Sequence, residues 1–253
     1  MNTNLTLHEI AKMIDHSLLQ PTLTDQELEI GCKVAATYQT ASVCIKPYAV
    51  RNAIKWLKGT DIPVCTVIGF PHGSATIENK VAETIDACIN GALEIDMVVN
   101  IGKVISEDWQ YIQHEISEIN NAAITHHAIV KVIFENDFLS DQHKIRLCKI
   151  CSEIGVAFVK TSTGYGYFKG EDGKFTTKGA TVADVRLMRE NSDPKVQVKA
   201  AGGVRTLDEL MIMREAGATR IGATATIAIL EELKKRLGIE SSNDFNVQDK
   251  SGY

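Results

Sequence analysis

Residues 93–134, LEIDMVVNIGKVISEDWQYIQHEISEINNAAITHHAIVKVIF, contain the unit from which the fold can be predicted. Two short apolar runs, LEIDMVV at 93–99 and IVKVIF at 129–134, enclose a helical pattern, DWQYIQHEISEINNAAI at 108–124. Both runs are rich in Val and Ile, as expected for parallel strands that are covered on both faces. A strand, a helix and a second strand in this order predict a parallel pair joined by a crossover helix.

The same alternation extends in both directions and produces eight strand candidates. Eight such units in a chain of 253 residues predict an α/β protein with a single (β/α)8 TIM barrel, since that architecture takes about 250 residues. An extra N-terminal helix is expected near Leu7–Met13. The alternative is an open doubly wound sheet, but the GxGxxG that should follow its first strand is missing. The candidates are MIDHSL (13–18), ASVCIK (41–46), PVCTVI (63–68), LEIDMVV (93–99), IVKVIF (129–134), VAFVK (156–160), VQVKAA (196–201) and TRIGA (219–223).

No domain boundary interrupts this pattern, so we expect residues 1–253 to form one barrel domain. Two polar segments depart from the alternation. GYGYFKGEDGKFTTKG at 164–179 is expected to be a loose loop between the sixth strand and its helix, and the tail at 239–253 is expected to be mobile. The capping-box pairs that mark helix starts are Thr24 with Glu27 and Thr206 with Glu209.

The composition excludes several classes of protein. Lys and Arg number 27 against 32 Asp and Glu, a net charge of −5 without the basic stripe of a nucleic-acid binder. No run of about 18 apolar residues predicts a membrane span, and the N-terminus lacks the apolar stretch of a signal peptide, so we expect a cytoplasmic protein. The expected partners are small molecules, not nucleic acid or membrane, and a homo-oligomer is compatible with the sequence.

Neither the cysteines nor the histidines have the spacing of a metal site. The six cysteines lie in apolar or helical patterns, which favours reduced and buried thiols. Cys148 and Cys151 form one CxxC, but a zinc ribbon needs two such pairs, and this one falls inside a helical pattern. We expect the pair to serve packing, and we predict no metal and no cofactor.

Charged residues at the ends of apolar strands are the strongest functional signal. They occur on five of the eight predicted strands, and barrel enzymes collect their chemistry at the C-terminal ends of strands. A buried unpaired charge is costly, so a fold retains one that is paired or useful. Solvated strand ends and structural ion pairs inside the barrel are the alternative interpretations. The five residues are Asp15, Asp96, Lys131, Lys160 and Lys199.

Lys160 and Lys199 lie on the sixth and seventh strands, which are expected to be neighbours about 4.8 Å apart. Two ammonium groups about 6 Å apart at an effective dielectric constant of about 20 repel each other by about 2.8 kcal/mol, which lowers a lysine pKa by about two units. Partial desolvation can supply the remainder that a nucleophilic amine needs near pH 7. The pair therefore predicts imine chemistry on a carbonyl substrate, with Asp96 as the candidate for proton transfer through water.

Two glycine-bearing segments predict an anion site. AAGGVRT at 200–206 follows the seventh strand, and RIGATAT at 220–226 contains the eighth. Loops after these two strands often hold phosphate in this architecture, and backbone N–H groups at a helix N-terminus suit an anion. The alternative is that the glycines only allow tight turns. The candidate residues are Gly202, Gly203, Arg205, Gly222 and Thr224.

Several segments, collinear from about Ile14 to Leu237, resemble the deoxyribose-phosphate aldolase family. The resemblance implies a metal-independent class I aldolase that reversibly cleaves 2-deoxy-D-ribose 5-phosphate to D-glyceraldehyde 3-phosphate and acetaldehyde. A lysine Schiff base would carry the reaction without a cofactor. The matching segments are DHSLLQPT (15–22), SVCIKPYAV (42–50), EIDMVVNIG (94–102), VKTSTGYG (159–166) and VKAAGGVRT (198–206).

The resemblance also implies roles for single residues. Lys160 would form the Schiff base, Lys199 would tune it, and Asp96 would carry protons together with Lys199. The residues that would bind substrate are Asp15, Cys44 and Lys131 in the pocket and Gly164, Gly202, Gly203, Arg205, Gly222 and Thr224 around the phosphate.

The sequence departs from the family pattern in three places. Tyr165 stands where some members carry a lysine and others an aromatic residue, and Thr224 and Ala225 replace expected serines. The loop at 166–179 is longer than in compact members. These departures keep open a Schiff-base aldolase of the same fold that acts on another small aldehyde or an unphosphorylated sugar. A non-catalytic barrel that binds a sugar phosphate is a further alternative, disfavoured by the joint presence of two lysines and an aspartate.

The chain ends at Tyr253, 16 residues after Leu237. Some members of the resembled family end in a tyrosine that folds over the active site and assists proton transfer at the enamine carbon. A flexible coil of this length spans about 20 to 24 Å, enough to reach a barrel mouth. We therefore expect Tyr253 to relay protons, the alternative being a tail without a role.

Overall fold

Eight parallel strands close into a barrel, as the alternating pattern predicts. The computed structural model describes residues 6–170 and 172–240. The barrel strands are β1 (Ile14–Leu18), β2 (Ser42–Ile45), β3 (Val64–Ile68), β4 (Glu94–Val98), β5 (Ile129–Ile133), β6 (Phe158–Lys160), β9 (Gln197–Ala201) and β10 (Arg220–Ala223). Each pairs with its neighbours in the order β1, β10, β9, β6, β5, β4, β3, β2, so the first and last strands are hydrogen-bonded to each other. The closed order confirms the barrel and excludes the open sheet.

Helices cover the outside of this barrel. The longest of them, Trp109–Thr125, buries Ile112, Ile116 and Ile119, an i, i+4, i+7 stripe that turns toward the strands. Two short 3₁₀ helices, Pro47–Ala49 and Asn136–Phe138, follow β2 and β5. The α-helices of the described chain are α1 (Leu7–Ala11), α2 (Asp25–Tyr38), α3 (Val50–Trp56), α4 (Ile77–Ile89), α5 (Ile101–Ile105), α6 (Trp109–Thr125), α7 (Asp141–Ile154), α8 (Val182–Asn191), α9 (Leu207–Glu215) and α10 (Thr226–Leu237).

Both predicted capping boxes are present. The Thr24 and Thr206 side chains accept from the backbone N–H groups of Glu27 and Glu209, and each glutamate side chain accepts from the backbone N–H of its threonine. These bonds satisfy N–H groups that have no partner within the helix and so define where α2 and α9 begin. The N-terminal helix α1 is present but ends two residues before the expected Met13.

The segment expected to be a loose loop after the sixth strand contains a small antiparallel hairpin. Its strands are β7 (Phe168–Lys169) and β8 (Phe175–Thr176). The Gly170 N–H donates to the Lys174 carbonyl at 2.8 Å, and Gly173 adopts a left-handed φ of 77° in the turn. The hairpin projects between β6 and α8, which places it beside the C-terminal ends of the barrel strands.

Candidate active site

The five charged residues singled out in the sequence converge inside the barrel, but not at the depth expected. Lys160 is the last residue of β6, whereas Asp15, Asp96, Lys131 and Lys199 lie within their strands. Each of the five exposes 3% or less of its surface. The expected position at the strand ends is therefore wrong for four of them. Side chains inside a barrel stack in layers, and these four belong to layers below the mouth.

Asp96 holds both lysines of the predicted catalytic pair. Its Oδ2 accepts from Lys160 Nζ at 2.7 Å and from Lys199 Nζ at 2.7 Å, and the two lysines are register partners on β6 and β9. Burial would raise the pKa of Asp96, but the attraction of Lys131, Lys160 and Lys199 outweighs it and holds that pKa well below the usual range. The sequence predicted that repulsion between the two lysines dominates. Instead, one carboxylate oxygen binds both ammonium groups, so repulsion alone does not describe the pair.

Two aspartates stabilise the positive charge of Lys199. Its Nζ lies 2.5 Å from Asp15 Oδ2 and 2.7 Å from Asp96 Oδ2. Burial opposes the charged form, but the attraction of the two aspartates is larger and raises the pKa of Lys199. A Cβ at Gly222 would lie 3.0 Å from Ala201 Cβ and 3.4 Å from Lys199 Cε, so a side chain there would crowd Ala201 and touch the lysine stem. Lys199 is therefore an ammonium group at neutral pH.

Lys131 does not line the cavity, contrary to its expected role in the substrate pocket. It is fully buried beneath the other two lysines, and burial, which disfavours its charge, is overcome by four anionic or polar partners that raise its pKa well above the ordinary value. A side chain in this position can act on substrate only through its neighbours. Its partners are Asp15 Oδ2 at 3.1 Å, Glu94 Oε2 at 2.6 Å, Asp96 Oδ1 at 2.9 Å and Cys65 Sγ at 3.1 Å.

The Lys131 ammonium group also lies among side chains that could otherwise bind a metal ion. Two groups of side chains in the described chain bring potential ligand atoms close together, Cys44 with Cys65 and Asp96, and Asp15 with Cys65 and Glu94. Lys131 contacts two members of the first group and all three members of the second. A cation is thus already bound where these ligand atoms converge, which disfavours an ion at either group.

Glu94 and Arg220 complete the cluster, although the sequence pattern alone did not single them out. Arg220 Nη1 lies 2.6 Å from Asp15 Oδ1 and 3.3 Å from Glu94 Oε2. Glu94 precedes Asp96 by two residues, and a spacing of two places both on one face of a strand, which was the available signal. Arg220 is the register partner of Lys199 on β10, a pairing that no local pattern reveals.

A cavity of about 520 Å³ reaches down to the lysines. It brings together most of the residues proposed from the sequence, from both the catalytic and the phosphate sets. Asp96 and Lys131 lie beneath it, and Tyr253 lies outside the described residues, so its proposed role stays a prediction. The proposed residues that line the cavity are Asp15, Cys44, Lys160, Gly164, Lys199, Gly202, Gly203, Arg205, Gly222 and Thr224.

Three of these glycines present bare backbone to the cavity. Gly164, Gly202 and Gly203 have φ values of 85°, 92° and 88°, a left-handed conformation that side chains disfavour. A Cβ on Gly164 or Gly203 would meet no atom within 4 Å, so open space faces the backbone there. The positive φ values fit tight turns, and the open space beside Gly164 and Gly203 leaves room for an anion at the backbone N–H groups.

Part of the cavity wall is apolar, where Leu19, Cys44 and Tyr165 line it. Leu19 and Cys44 belong to a small buried cluster against which Phe70 and Tyr165 pack. The Phe70 and Tyr165 rings meet edge to face, with centroids 5.4 Å apart. The site therefore combines an ionic floor, a glycine-rich side and an apolar side, a combination that suits a small polar molecule with one apolar end.

Glu135 supports the segment that follows Lys160, a role that the sequence did not suggest. It is 2% exposed, and its backbone is left-handed, with φ of 58°. Its carboxylate accepts from the Thr163 hydroxyl and, at 3.2 Å, from the Thr163 N–H. A Cβ on Gly166 would lie 2.6 Å from Glu135 Cδ, so the chain passes directly over this carboxylate. Burial raises the pKa of Glu135.

Comparison with known proteins identifies the family of this chain. The profile of the DeoC/LacD family aldolases matches residues 9–232. The deoxyribose-phosphate aldolase of Rhodopirellula baltica is 48% identical over 97% of this chain and 98% of its own. A solved putative deoxyribose-phosphate aldolase from Coccidioides immitis superposes with a TM-score of 0.83 at 34% identity, covering 91% of this chain and 87% of its own. The tetrameric deoxyribose phosphate aldolase from Aeropyrum pernix gives 0.81 at 28% identity, covering 91% and 93%. With a family match over most of its length and a lysine-rich site in the same barrel, this chain belongs to the DeoC/LacD family of aldolases.

Proposed function

We propose that this chain is a class I aldolase that reversibly cleaves 2-deoxy-D-ribose 5-phosphate to D-glyceraldehyde 3-phosphate and acetaldehyde through a Schiff base on Lys160. The relatives named above support the substrate. One observation carries the chemistry: the amines of Lys160 and Lys199 share a single oxygen of Asp96, each at 2.7 Å, at the base of the cavity. A metal-binding protein or a passive binding barrel has no need of two lysines in that arrangement.

The charges of the cluster explain why Lys160 is the nucleophile. Among the described residues, Lys131, Lys160, Lys199 and Arg220 are paired with only three carboxylates, those of Asp15, Glu94 and Asp96. Within the described chain Lys160 is bound by one carboxylate, whereas Lys199 is bound by two and Lys131 by three. Lys160 is therefore the lysine held by the fewest carboxylates, and it is also the one that lies at a strand end and lines the cavity.

The cleavage follows from imine chemistry at this amine. The neutral Lys160 amine attacks the C1 aldehyde carbon of the open-chain sugar, and the carbinolamine loses water to give an iminium ion. Removal of the proton from the C3 hydroxyl breaks the C2–C3 bond, and the electron pair passes into the iminium to form an enamine. Asp96 holds the charges of this step in place and, through water, is positioned to pass the proton on.

Release of the second product needs an acid. The enamine carbon C2 takes a proton to become the methyl carbon of acetaldehyde, and water then hydrolyses the imine and restores the Lys160 amine. Lys199 supports this step because its pKa is raised, so it holds a proton at neutral pH within reach of the same carboxylate oxygen. Its role is then that of a proton donor as well as a neighbouring charge.

Borohydride trapping tests the proposal directly. Reduction in the presence of acetaldehyde should fix a two-carbon adduct on Lys160, located by peptide mass mapping, because the imine forms there. Lys195, an exposed lysine on the same chain segment as β9, should stay unmodified and serves as the internal control. An adduct on Lys199 instead, or none on any lysine, would refute the assignment.

The cellular setting and the partners follow from general features of the chain. No described helix combines the length and the apolar character that a bilayer crossing requires. Six cysteines without disulfide partners support a reducing compartment such as the cytoplasm. We infer that the chain acts on small sugar phosphates and aldehydes. The tetrameric relative from Aeropyrum pernix supports a homo-oligomer.

A further inference from the structure

The inserted hairpin supplies a cation to the cavity. Lys178 lines the cavity together with Thr176 and Thr177, which come at the end of the hairpin. Within the described chain no carboxylate lies at ion-pair distance from Lys178, and its Nζ lies 5.5 Å from the centroid of the Phe168 ring. The two other lysines that line the cavity, Lys160 and Lys199, are held by aspartates. Lys178 is thus the cavity lysine whose charge is available to a ligand.

The position of Lys178 is fixed by its backbone and not by its side chain. Asp137, in the short helix after β5, accepts three hydrogen bonds through Oδ2. The donors are Thr177 Oγ1 at 2.9 Å, the Lys178 N–H at 2.7 Å and the Gly179 N–H at 3.2 Å. The carboxylate therefore anchors the main chain at Lys178, while the ammonium end stays free to move toward a ligand.

The anchored segment lies directly against the glycine loop proposed to bind phosphate. The Ala180 N–H donates to the Gly202 carbonyl at 3.0 Å. A Cβ on Gly179 would lie 2.5 Å from the Gly202 carbonyl oxygen, so the two backbones touch with no room for a side chain. Lys178 is one residue from this contact. An anion at Gly202 and Gly203 would consequently have the Lys178 side chain beside it.

We propose that Lys178 binds the phosphate group of the substrate together with the backbone of Gly202 and Gly203, and that the hairpin thereby sets the preference for phosphorylated sugars. An ammonium group forms short charge-assisted hydrogen bonds with phosphate oxygens, and its flexible stem lets it follow the ligand. The substrate class rests on the function proposed above. The anion site itself does not, because it can be measured without turnover.

Substrate preference is the first test. The ratio of kcat/KM for 2-deoxy-D-ribose 5-phosphate to that for 2-deoxy-D-ribose should fall about tenfold to hundredfold in Lys178→Met, the loss expected for one charge-assisted contact. Lys178→Arg should keep most of the preference. Lys174→Met is the matched control, since Lys174 is an exposed lysine of the same hairpin that does not line the cavity. An unchanged ratio in Lys178→Met would overturn the proposal.

Calorimetric binding of inorganic phosphate separates failure of this proposal from failure of the proposed reaction. Lys178→Met should bind phosphate about tenfold or more weakly than wild type, and Lys174→Met should bind it equally well. This result would stand even if the wild-type protein cleaved neither sugar. Equal phosphate affinity in wild type and Lys178→Met, or equal losses in both variants, would show that Lys178 does not bind the anion.

Discussion

At the scale of single residues, the site depends on carboxylates that each pair with several cations. The Asp96 carboxylate is bound by three lysines, and Asp15 is bound by Lys131, Lys199 and Arg220. A substitution at Asp15, Asp96, Lys131 or Lys199 therefore removes an ion pair from more than one partner at once. Effects on activity and on stability should therefore appear together.

Replacement of Lys199 by Leu should show this coupling. Loss of the proton donor should lower kcat about a hundredfold to ten-thousandfold. The same change removes one cation from Asp15 and Asp96, which keep Lys131, Lys160 and Arg220 as partners, so the free energy of unfolding should fall by about 1–3 kcal/mol. Steady-state kinetics and urea denaturation measure the two effects, with the exposed Lys195→Leu as the control. Turnover near that of wild type would exclude Lys199 from the reaction.

Residue type and strand position were enough to select Lys160, Lys199 and Asp96, because a fold rarely retains a charge within an apolar strand unless that charge is paired or used. Neither residue type nor strand position tells which of the charged side chains line the cavity and which lie beneath it. Lys131 follows the same rule, yet neither Lys131 nor Asp96 lines the cavity, whereas Lys160 and Lys199 do. Arg220 was not selected, because its partner Asp15 is 205 residues away and no local pattern joins them.

At the scale of elements, boundaries were predictable wherever a local chemical signal marks them. Thr24 and Thr206 begin their helices as the capping-box spacing predicts. The hairpin within 164–179 was expected to be a loop, because strands of two residues are too short for an alternating pattern to be recognised. Its position against Gly202 depends on tertiary contacts of Asp137, which the sequence does not reveal.

The segment after β6 should prove sensitive to Glu135. In Glu135→Ala the Thr163 N–H and hydroxyl lose their acceptor, so the chain that carries Lys160 into the cavity loosens. We expect kcat and the rate of borohydride trapping to fall about tenfold to hundredfold, the usual cost of a small misplacement. Glu135→Gln should lose much less, because its amide oxygen still accepts from Thr163. The exposed Glu153→Ala is the control, and wild-type kcat in Glu135→Ala would contradict the role.

At the scale of the whole molecule, the barrel was the most predictable feature and the ionic network inside it the least. All eight predicted runs form barrel strands, since their order and spacing leave one closed arrangement. The ionic network depends on that arrangement, because its members come from strands β1, β4, β5, β6, β9 and β10. The complete network is therefore present only in the closed barrel.

Stability of the folded barrel should decrease in mild acid through His16. Its Nδ1 lies 2.8 Å from Thr226 Oγ1 between β1 and α10, and burial lowers the pKa of His16 to about 4. The unfolded chain, with a histidine pKa of about 6.5, takes up the proton first, so stability that is present above pH 6.5 is lost as the pH falls toward 4. Between pH 7 and pH 5 the loss is about 2 kcal/mol for a pKa of about 4.

Urea denaturation at several pH values measures this contribution. The difference in unfolding free energy between wild type and His16→Gln isolates it, because all other titrating groups are common to both proteins. The difference should shrink by about 2 kcal/mol from pH 7 to pH 5. A difference that does not change with pH would mean that His16 titrates alike in the folded and unfolded chains.

β1 is the first barrel strand to be synthesised, and it pairs with β10, the last. One edge of β1 can therefore be covered only after β10 has been made. Asp15 on β1 also lacks its partner Arg220 during this time, because Arg220 follows 205 residues later. At a synthesis rate of about 5–20 residues per second, that interval lasts about 10–40 s. Throughout it, the growing polypeptide carries an unpaired strand edge that can associate with other chains. The period in which a chaperone can protect this protein is thus set by the order in which its strands are made.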